Sequence, residues 1–436
     1  MELSKTGDRT NLFSLTSIWI LCAILLVFAS VYGFSFERGS LNSLNGVDSQ
    51  ALEAGDPTRN AVVNLQSALA YLLSIACIVP FIKPVWRQLC RNVLIFSVLG
   101  WAVLSVVWSS VPSTSAINSM RMAINLILVV YLFERFSAND IQKLMMLVGC
   151  VAATGSLLMA VVFPQYGLQT RNLAAFGAWQ GIFGQKNLLG LELLILLLPA
   201  FFVKLNGIYA RRLRIAYVAT LLFLIVMSQS AGAWIVSVLC LAFVALLHMT
   251  VRMPKRDTAV IAFVVAGVLI AVGMAVLANY ESLMYALGKD PTMTGRTVLW
   301  SGLIELALKR PIQGYGYLAF WQGLNGPTRY LALQMNWLGL AGAENGVLEM
   351  GLELGIVGLL LYAVIFLRAV KDALYCIGRG ATPAALWYTA ILFYVVATNI
   401  EGGSLLMPSN LACMMPFMAF LGLRREVQIL HKRLGR

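Results

Sequence analysis

The residues able to do chemistry gather where the apolar character of this chain lapses. Thr294-Gly295-Arg296-Thr297 puts a guanidinium at the head of a short helical pattern that also carries Trp300. Arg310-Pro311-Ile312-Gln313-Gly314-Tyr315-Gly316-Tyr317-Leu318-Ala319-Phe320-Trp321 then turns on a proline and two glycines among aromatics, which suits a packed loop over a cavity. Last, Ala343-Glu344-Asn345-Gly346 runs into an apolar helix whose Glu349 and Glu353, spaced i, i+4, share one face with Asn345. A place at a site and pairing with a cation on a neighbouring helix are both open to those two acids.

Smaller clusters repeat the theme. Gly177-Ala178-Trp179-Gln180-Gly181-Ile182-Phe183-Gly184-Gln185-Lys186-Asn187 ends a glycine-rich turn on a lysine that can meet a phosphate as a point charge or surface as a membrane anchor. Arg121, downstream of Trp108-Ser109-Ser110-Val111-Pro112-Ser113, needs an anion or a group of carbonyls unless it reaches the surface. Glu401, beside Gly402-Gly403-Ser404, can face a site or sit solvated in its loop. The two histidines, His248 and His431, fall at the ends of apolar runs and read as interfacial.

The elements that must position these groups are membrane helices. A 436-residue chain that is 60% hydrophobic and 12% charged, with mean hydropathy +0.81, has more apolar surface than a soluble core can hide. The expectation is an all-α integral membrane protein, one polytopic domain over residues 1–436, with about twelve spans. These fall near 15–36, 61–82, 93–111, 117–133, 141–163, 188–203, 215–229, 233–247, 258–278, 346–367, 385–400 and 411–423. Residues 37–60 form a first external loop, and 279–345 a large external loop with short helices.

With the N-terminus inside, about two thirds of the 32 Lys and Arg lie in inner segments, so both termini are cytoplasmic. The same topology explains the net charge of +13, which therefore does not argue for nucleic acid. The seven cysteines avoid the external loops and form no CxxC pair, which argues against disulfides and a zinc site.

The motif order resembles the O-antigen ligase and polymerase superfamily, in its exopolysaccharide-polymerase branch. That pattern runs approximately G-R-x-x-x-W, P-x-x-G-x-G-Y-x-x-F-W, then A-H-N-G-x-L-E with a following G-x-x-G. Earlier come W-S-x-x-P, G-x-W-R-G-I-F-x-H-K-N-x-x-G, and S-x-S followed by a basic residue. The resemblance spans about Trp108 to Gly358. Gln180, Gln185, Ala231 and Glu344 stand where the pattern has basic residues or histidine.

The resemblance implies transfer of a glycan from a polyprenyl-diphosphate-linked oligosaccharide to a hydroxyl of an acceptor glycan. Transfer takes place at the outer face of the bacterial cytoplasmic (inner) membrane, without cofactor or metal. Arg296 and Glu344 take the catalytic positions, as diphosphate clamp and base. Lys186, Arg121, Arg171 and Arg329 are further cations for the diphosphate and its lipid. Asn187, Asn345, Trp300, Tyr315, Trp321 and Glu401 would contact glycan. A chain that keeps the groove but has lost transfer, serving other polysaccharide-assembly proteins, is a second reading, and a transporter or flippase a third. Transporters place their polar residues near the midplane, unlike this chain.

Overall fold

A computed structural model describes residues 68–69, 71–169, 176–250, 264, 267–268, 271, 274–275, 295–322, 326–334, 342–343, 345–401, 405–408 and 411–433. For residues 250, 295–298, 400 and 401 it describes backbone only. The expected span 15–36, the loop 37–60, most of the span 258–278, Arg171 and Glu344 lie outside the described residues.

Among the described residues the chain is helical, apart from an isolated antiparallel bridge between Leu168 and Trp179. In chain order the helices are α1 (Tyr71–Arg91), α2 (Ile95–Leu104), α3 (Pro112–Arg135), α4 (Ala138–Val162), α5 (Lys186–Leu197) and α6 (Ile208–Met227). They continue with α7 (Ala231–Thr250), α8 (Gly295–Lys309), α9 (Arg329–Gln334), α10 (Gly346–Gly380), α11 (Pro383–Glu401) and α12 (Leu411–Arg433). Five of the described helices are long and apolar enough to cross a bilayer: Tyr71–Arg91, Pro112–Arg135, Ala138–Val162, Ala231–Met249 and Gly346–Gly380. Ile95–Val107 and Pro383–Asn399 are shorter apolar helices. The multi-pass membrane architecture is therefore plain.

Local chemistry sets several helix ends. Pro112 opens α3, where its missing N–H costs nothing. Ser137 caps α4 by accepting the Asp140 N–H at 3.2 Å. Pro199 follows α5 in a 3-10 turn over Leu198–Phe201, and Gly207 takes a positive φ of 95° just before α6.

The helix ends sort onto two faces. One gathers the 108–115 turn, the lead into α5, the link from α6 to α7, the start of α10 and the segment 405–408. Ser110 N–H donates to the Tyr315 carbonyl (3.1 Å), Trp179 N–H to the Met227 carbonyl (3.0 Å), and the Asn125 amide to the Pro408 carbonyl. At the other face Arg425 donates to the carbonyls of Phe133 (3.3 Å) and Phe136 (3.0 Å), satisfying groups left open at the end of α3. There too Thr382 donates to Glu426 at 2.6 Å.

α12 packs against α3, α5, α10 and α11, and the main core forms around it. A second, smaller core stands beyond it on the first face: Leu299 and Leu303 of α8, Tyr315, Phe320, Leu331 of α9, Ala343 and Leu352 of α10.

Candidate functional site

The site begins with a break in α10. At Gly355 the backbone turns to φ 65°, ψ −167°, a conformation nearly closed to residues with a Cβ. Residues 356–380 extend about 38 Å at 1.5 Å per residue, enough for the hydrocarbon on their own, while 346–354 form a short upper piece.

A helix broken inside a membrane frees backbone groups that must find partners. They find the segment 310–321, laid across the break like a strap. Tyr315 N–H donates to the Leu352 carbonyl (2.8 Å), Gly316 N–H to that of Glu353 (2.9 Å), and Ile356 N–H to that of Pro311 (2.8 Å). The Trp101 indole donates to the remaining Leu354 carbonyl at 2.9 Å. Gly314 and Gly316, at φ 69° and 106°, let the strap lie flat. A Cβ on Gly314 would strike the Glu353 carbonyl, and one on Gly316 would strike Ser109.

The strap is also sewn to the 105–115 turn. Ser105 Oγ accepts the Tyr317 N–H at 3.0 Å, Ser115 Oγ donates to the Tyr317 carbonyl at 2.8 Å, and the Trp108 indole donates to the Gln313 carbonyl at 3.1 Å. Leu318 adopts φ 51°, rare for a side chain of its size. Its N–H is bonded to the buried Glu353 carboxyl, which accounts for how that conformation is held. Tyr317 is fully buried with its hydroxyl on the Leu406 carbonyl. Burial drives its phenol well above the ordinary tyrosine range, and Cys413, Glu353 and Tyr71 add to the shift. The Tyr315 phenol is also raised by burial, against the pull of Arg310, whose guanidinium lies 4.9 Å over its ring.

The turn around Ala343 hangs from the same scaffold. Ala343 N–H donates to Glu349 Oε2 at 2.7 Å, the Trp321 indole donates to Glu349 Oε1, and the Trp300 indole donates to the Ala343 carbonyl at 2.8 Å. Asn345 caps α10, its Oδ1 accepting the N–H groups of Val347 (3.1 Å) and Leu348 (3.0 Å). Ala343 and Asn345 are therefore each held by hydrogen bonds to this scaffold.

The lead into α5 forms the neighbouring corner. Lys186, half-buried at the first turn of α5, donates to the Gln229 carbonyl at 3.3 Å, and burial lowers its contact with water. Ser230 Oγ donates to Asn187 Oδ1 at 2.9 Å. Gln180 donates to the Tyr166 carbonyl at 2.8 Å, while Gln185 is exposed.

The expected site residues thus divide. Trp300, Tyr315, Trp321 and Asn345 share the strap assembly, with Tyr315 buried and its hydroxyl on the Leu306 carbonyl at 3.0 Å. Lys186 and Asn187 share the α5 corner. Arg121 is half-buried on α3, bonded to Asn118 at 3.3 Å and within electrostatic reach of Tyr71. Arg329 is exposed at the start of α9. Arg296 lies in the first turn of α8 and Glu401 at the end of α11, each by backbone only. Sequence reasoning missed Trp101 and the hold of Glu353 on Leu318. Trp101 and Trp108, seven residues apart and with rings 5.0 Å from one another, were the available signal for the strap's anchor.

Comparison with known proteins adds two findings. Residues 216–363, from α6 to just past the break in α10, match the O-antigen ligase family. Over 354 residues the chain is 25% identical to the exopolysaccharide production protein ExoQ of Rhizobium meliloti (strain 1021), covering 77% of this chain and 78% of that protein.

Proposed function

From a chain that resembles the O-antigen ligase superfamily in its ExoQ-like branch, we propose a polysaccharide polymerase or ligase of the bacterial inner membrane. It takes a glycan from polyprenyl diphosphate and passes it to a sugar hydroxyl. The observation that carries this reading is the strap. The segment matched by the family is fastened, backbone to backbone, over a broken helix at the face where the Lys186 and Arg121 corners also lie. With the opposite face holding Arg211, Arg212, Arg424 and Arg425 as cytoplasmic, the strap faces outward, about twelve spans complete the bundle, and both termini lie inside.

In the reaction the bond from the anomeric carbon to the diphosphate oxygen breaks as a bond to the acceptor oxygen forms. The acceptor proton passes to the Glu344 carboxylate, and the lipid diphosphate leaves with the bonding pair. Arg296, with Lys186, Arg121, Arg171 and Arg329 as supporting cations, stabilises the charge gathering on that leaving group. Glu344 is given the role of base because it stands in the sequence where the family pattern has its histidine.

A second reading, a chain that binds glycan lipid for assembly partners without turnover, is favoured by Gln180, which occupies a family arginine position and is spent on the Tyr166 carbonyl. Complementation of a strain lacking the gene separates the two. Wild type restores long secreted polymer, while Arg296→Ala and Glu344→Gln give none at equal membrane level. Full polymer from Glu344→Gln would transfer the decision to the non-catalytic reading.

A further inference from the structure

Beside the strap lies a second stretch of buried, non-helical backbone. Residues 405–408 turn the chain between α11 and α12, with Leu405 and Leu406 8% and 3% exposed and Pro408 buried as well. Such backbone inside a membrane protein needs other groups to take up its carbonyls and N–H groups. Side chains from three separate elements do so. The Tyr317 hydroxyl of the strap donates to the Leu406 carbonyl, and the Asn125 amide of α3 donates to the Pro408 carbonyl. Just beyond, the Glu192 carboxyl of α5 accepts the Ala412 N–H, one of the open donors in the first turn of α12. The other carboxyl oxygen of Glu192, Oε2, has no partner among the described residues.

Each of these side chains belongs to an element that bears part of the candidate site. Asn125 follows Arg121 by four residues on one face of α3, about 6 Å along the helix. Glu192 follows Lys186 by six residues on α5, about 9 Å along it. Tyr317 sits in the middle of the strap. The strap, the helix of Arg121 and the helix of Lys186 are thus tied to the same few residues.

The ties are made by polar groups where apolar ones would pack at less cost. Asn125, Glu192 and Tyr317 are 2%, 3% and 0% exposed, and burying an amide or a carboxyl is unfavourable unless it is bonded. Leucine at 125 or 192 carries no such cost. What the polar side chain adds is direction, since a hydrogen bond fixes the spacing of its two ends while an apolar contact lets them slide.

We infer that residues 405–408 and the head of α12 are a common anchor that sets the spacing between the strap and the cations at 121 and 186, with Asn125, Glu192 and Tyr317 as its positioning residues. This rests on the transfer reading above and deepens it. In that reading the diphosphate is held from α3 and α5 and the glycan at the strap, so sliding one against the other parts the reacting groups. A displacement of about 1 Å is enough to cost about a hundredfold in rate.

The test measures polymer formation by the purified full chain from a polyprenyl diphosphate bearing one oligosaccharide repeat. It also measures labelling of cysteines by N-ethylmaleimide, located by mass spectrometry. Cys413, next to Ala412, is 2% exposed and reports on the anchor, while Cys240 of α7 and Cys376 of α10, buried elsewhere, report on the fold as a whole. Asn125→Leu and Glu192→Leu each slow the reaction by about a hundredfold and open Cys413 to label, with Cys240 and Cys376 still closed. The double variant is no slower than the slower single one, because both free the same segment, whereas separate structural defects would multiply. Glu192→Gln keeps an oxygen for the Ala412 N–H and restores both the rate and the protection of Cys413.

Tyr317→Phe removes one hydroxyl and keeps the ring, so it carries the test should a leucine variant fail to fold. It too slows the reaction and opens Cys413. Wild-type behaviour from Tyr317→Phe, defects that multiply in the double variant, or a Glu192→Gln chain as slow as Glu192→Leu overturns the anchor alone. Full rate in a variant whose Cys413 is labelled does the same. A wild type that makes no polymer from the donor overturns the transfer reading instead.

Discussion

Replacing Gly355 by alanine tests the strap most directly. A Cβ at φ 65°, ψ −167° costs about 2 kcal/mol in backbone strain. That Cβ would also strike the Ile312 carbonyl, so the strap has to lift there. Lifting also breaks the bond from Ile356 N–H to the Pro311 carbonyl, at about 1 kcal/mol more. Together these reach about 3 kcal/mol. At about 1.4 kcal/mol per tenfold, the ratio of seated to lifted strap falls by roughly a hundredfold.

The assay is limited proteolysis of the full chain in membranes, following cleavage between 310 and 343 beside secreted polymer. Gly351→Ala is the control. Gly351 lies in the regular upper turns of α10, and its added Cβ would meet Leu359 at an ordinary 3.5 Å, so helix propensity favours it by about 1 kcal/mol. Equal protease resistance in the Gly355→Ala, Gly351→Ala and wild-type chains would refute the reasoning.

Other expectations follow from the same contacts. Trp321→Phe keeps an aromatic ring but removes the indole's hydrogen bond to Glu349 Oε1, lowering stability by about 1 kcal/mol, read as a lower melting temperature. Asn345→Ala removes the cap of α10 at a cost of about 1 kcal/mol, read as a lower melting temperature that Asn345→Asp restores. The raised phenols of Tyr315 and Tyr317 favour the protonated form in the folded strap. Their contribution is therefore whole below the ordinary value of 10.0 and is lost as pH rises beyond it. Protease sensitivity of the strap should climb above that pH, and Tyr315→Phe should blunt the climb.

Much of this molecule was legible before any coordinates. Helix-length apolar runs located α3, α4, α7 and the start of α10, because a bilayer leaves backbone polar groups little alternative. The aromatic, glycine-rich composition of 310–321 announced a packed loop, and the structure agrees. The break in α10 at Gly355 was not legible, because it is a φ value, which residue type permits but does not declare. α10 also runs to Gly380, past the expected end at 367, since Arg368, Lys371 and Asp372 continue a helix once it has left the apolar layer. The partners of Glu353 and Asn125 were beyond reach, because each is a main-chain group distant in sequence, Leu318 for one and Pro408 for the other.

The strap's attachment by main-chain bonds has a consequence for how this protein can change. Leu352, Glu353 and Pro311 contribute carbonyls, which every residue type supplies, and Tyr315, Gly316 and Ile356 contribute N–H groups, which every type but proline supplies. The framework of this face therefore keeps its shape while the side chains hung upon it are exchanged, provided the glycines at 314, 316 and 355 stay. Specificity becomes a fitting that can be swapped without rebuilding the frame, which makes Gln180, Gln185 and Glu344 natural positions at which to retune what this face accepts.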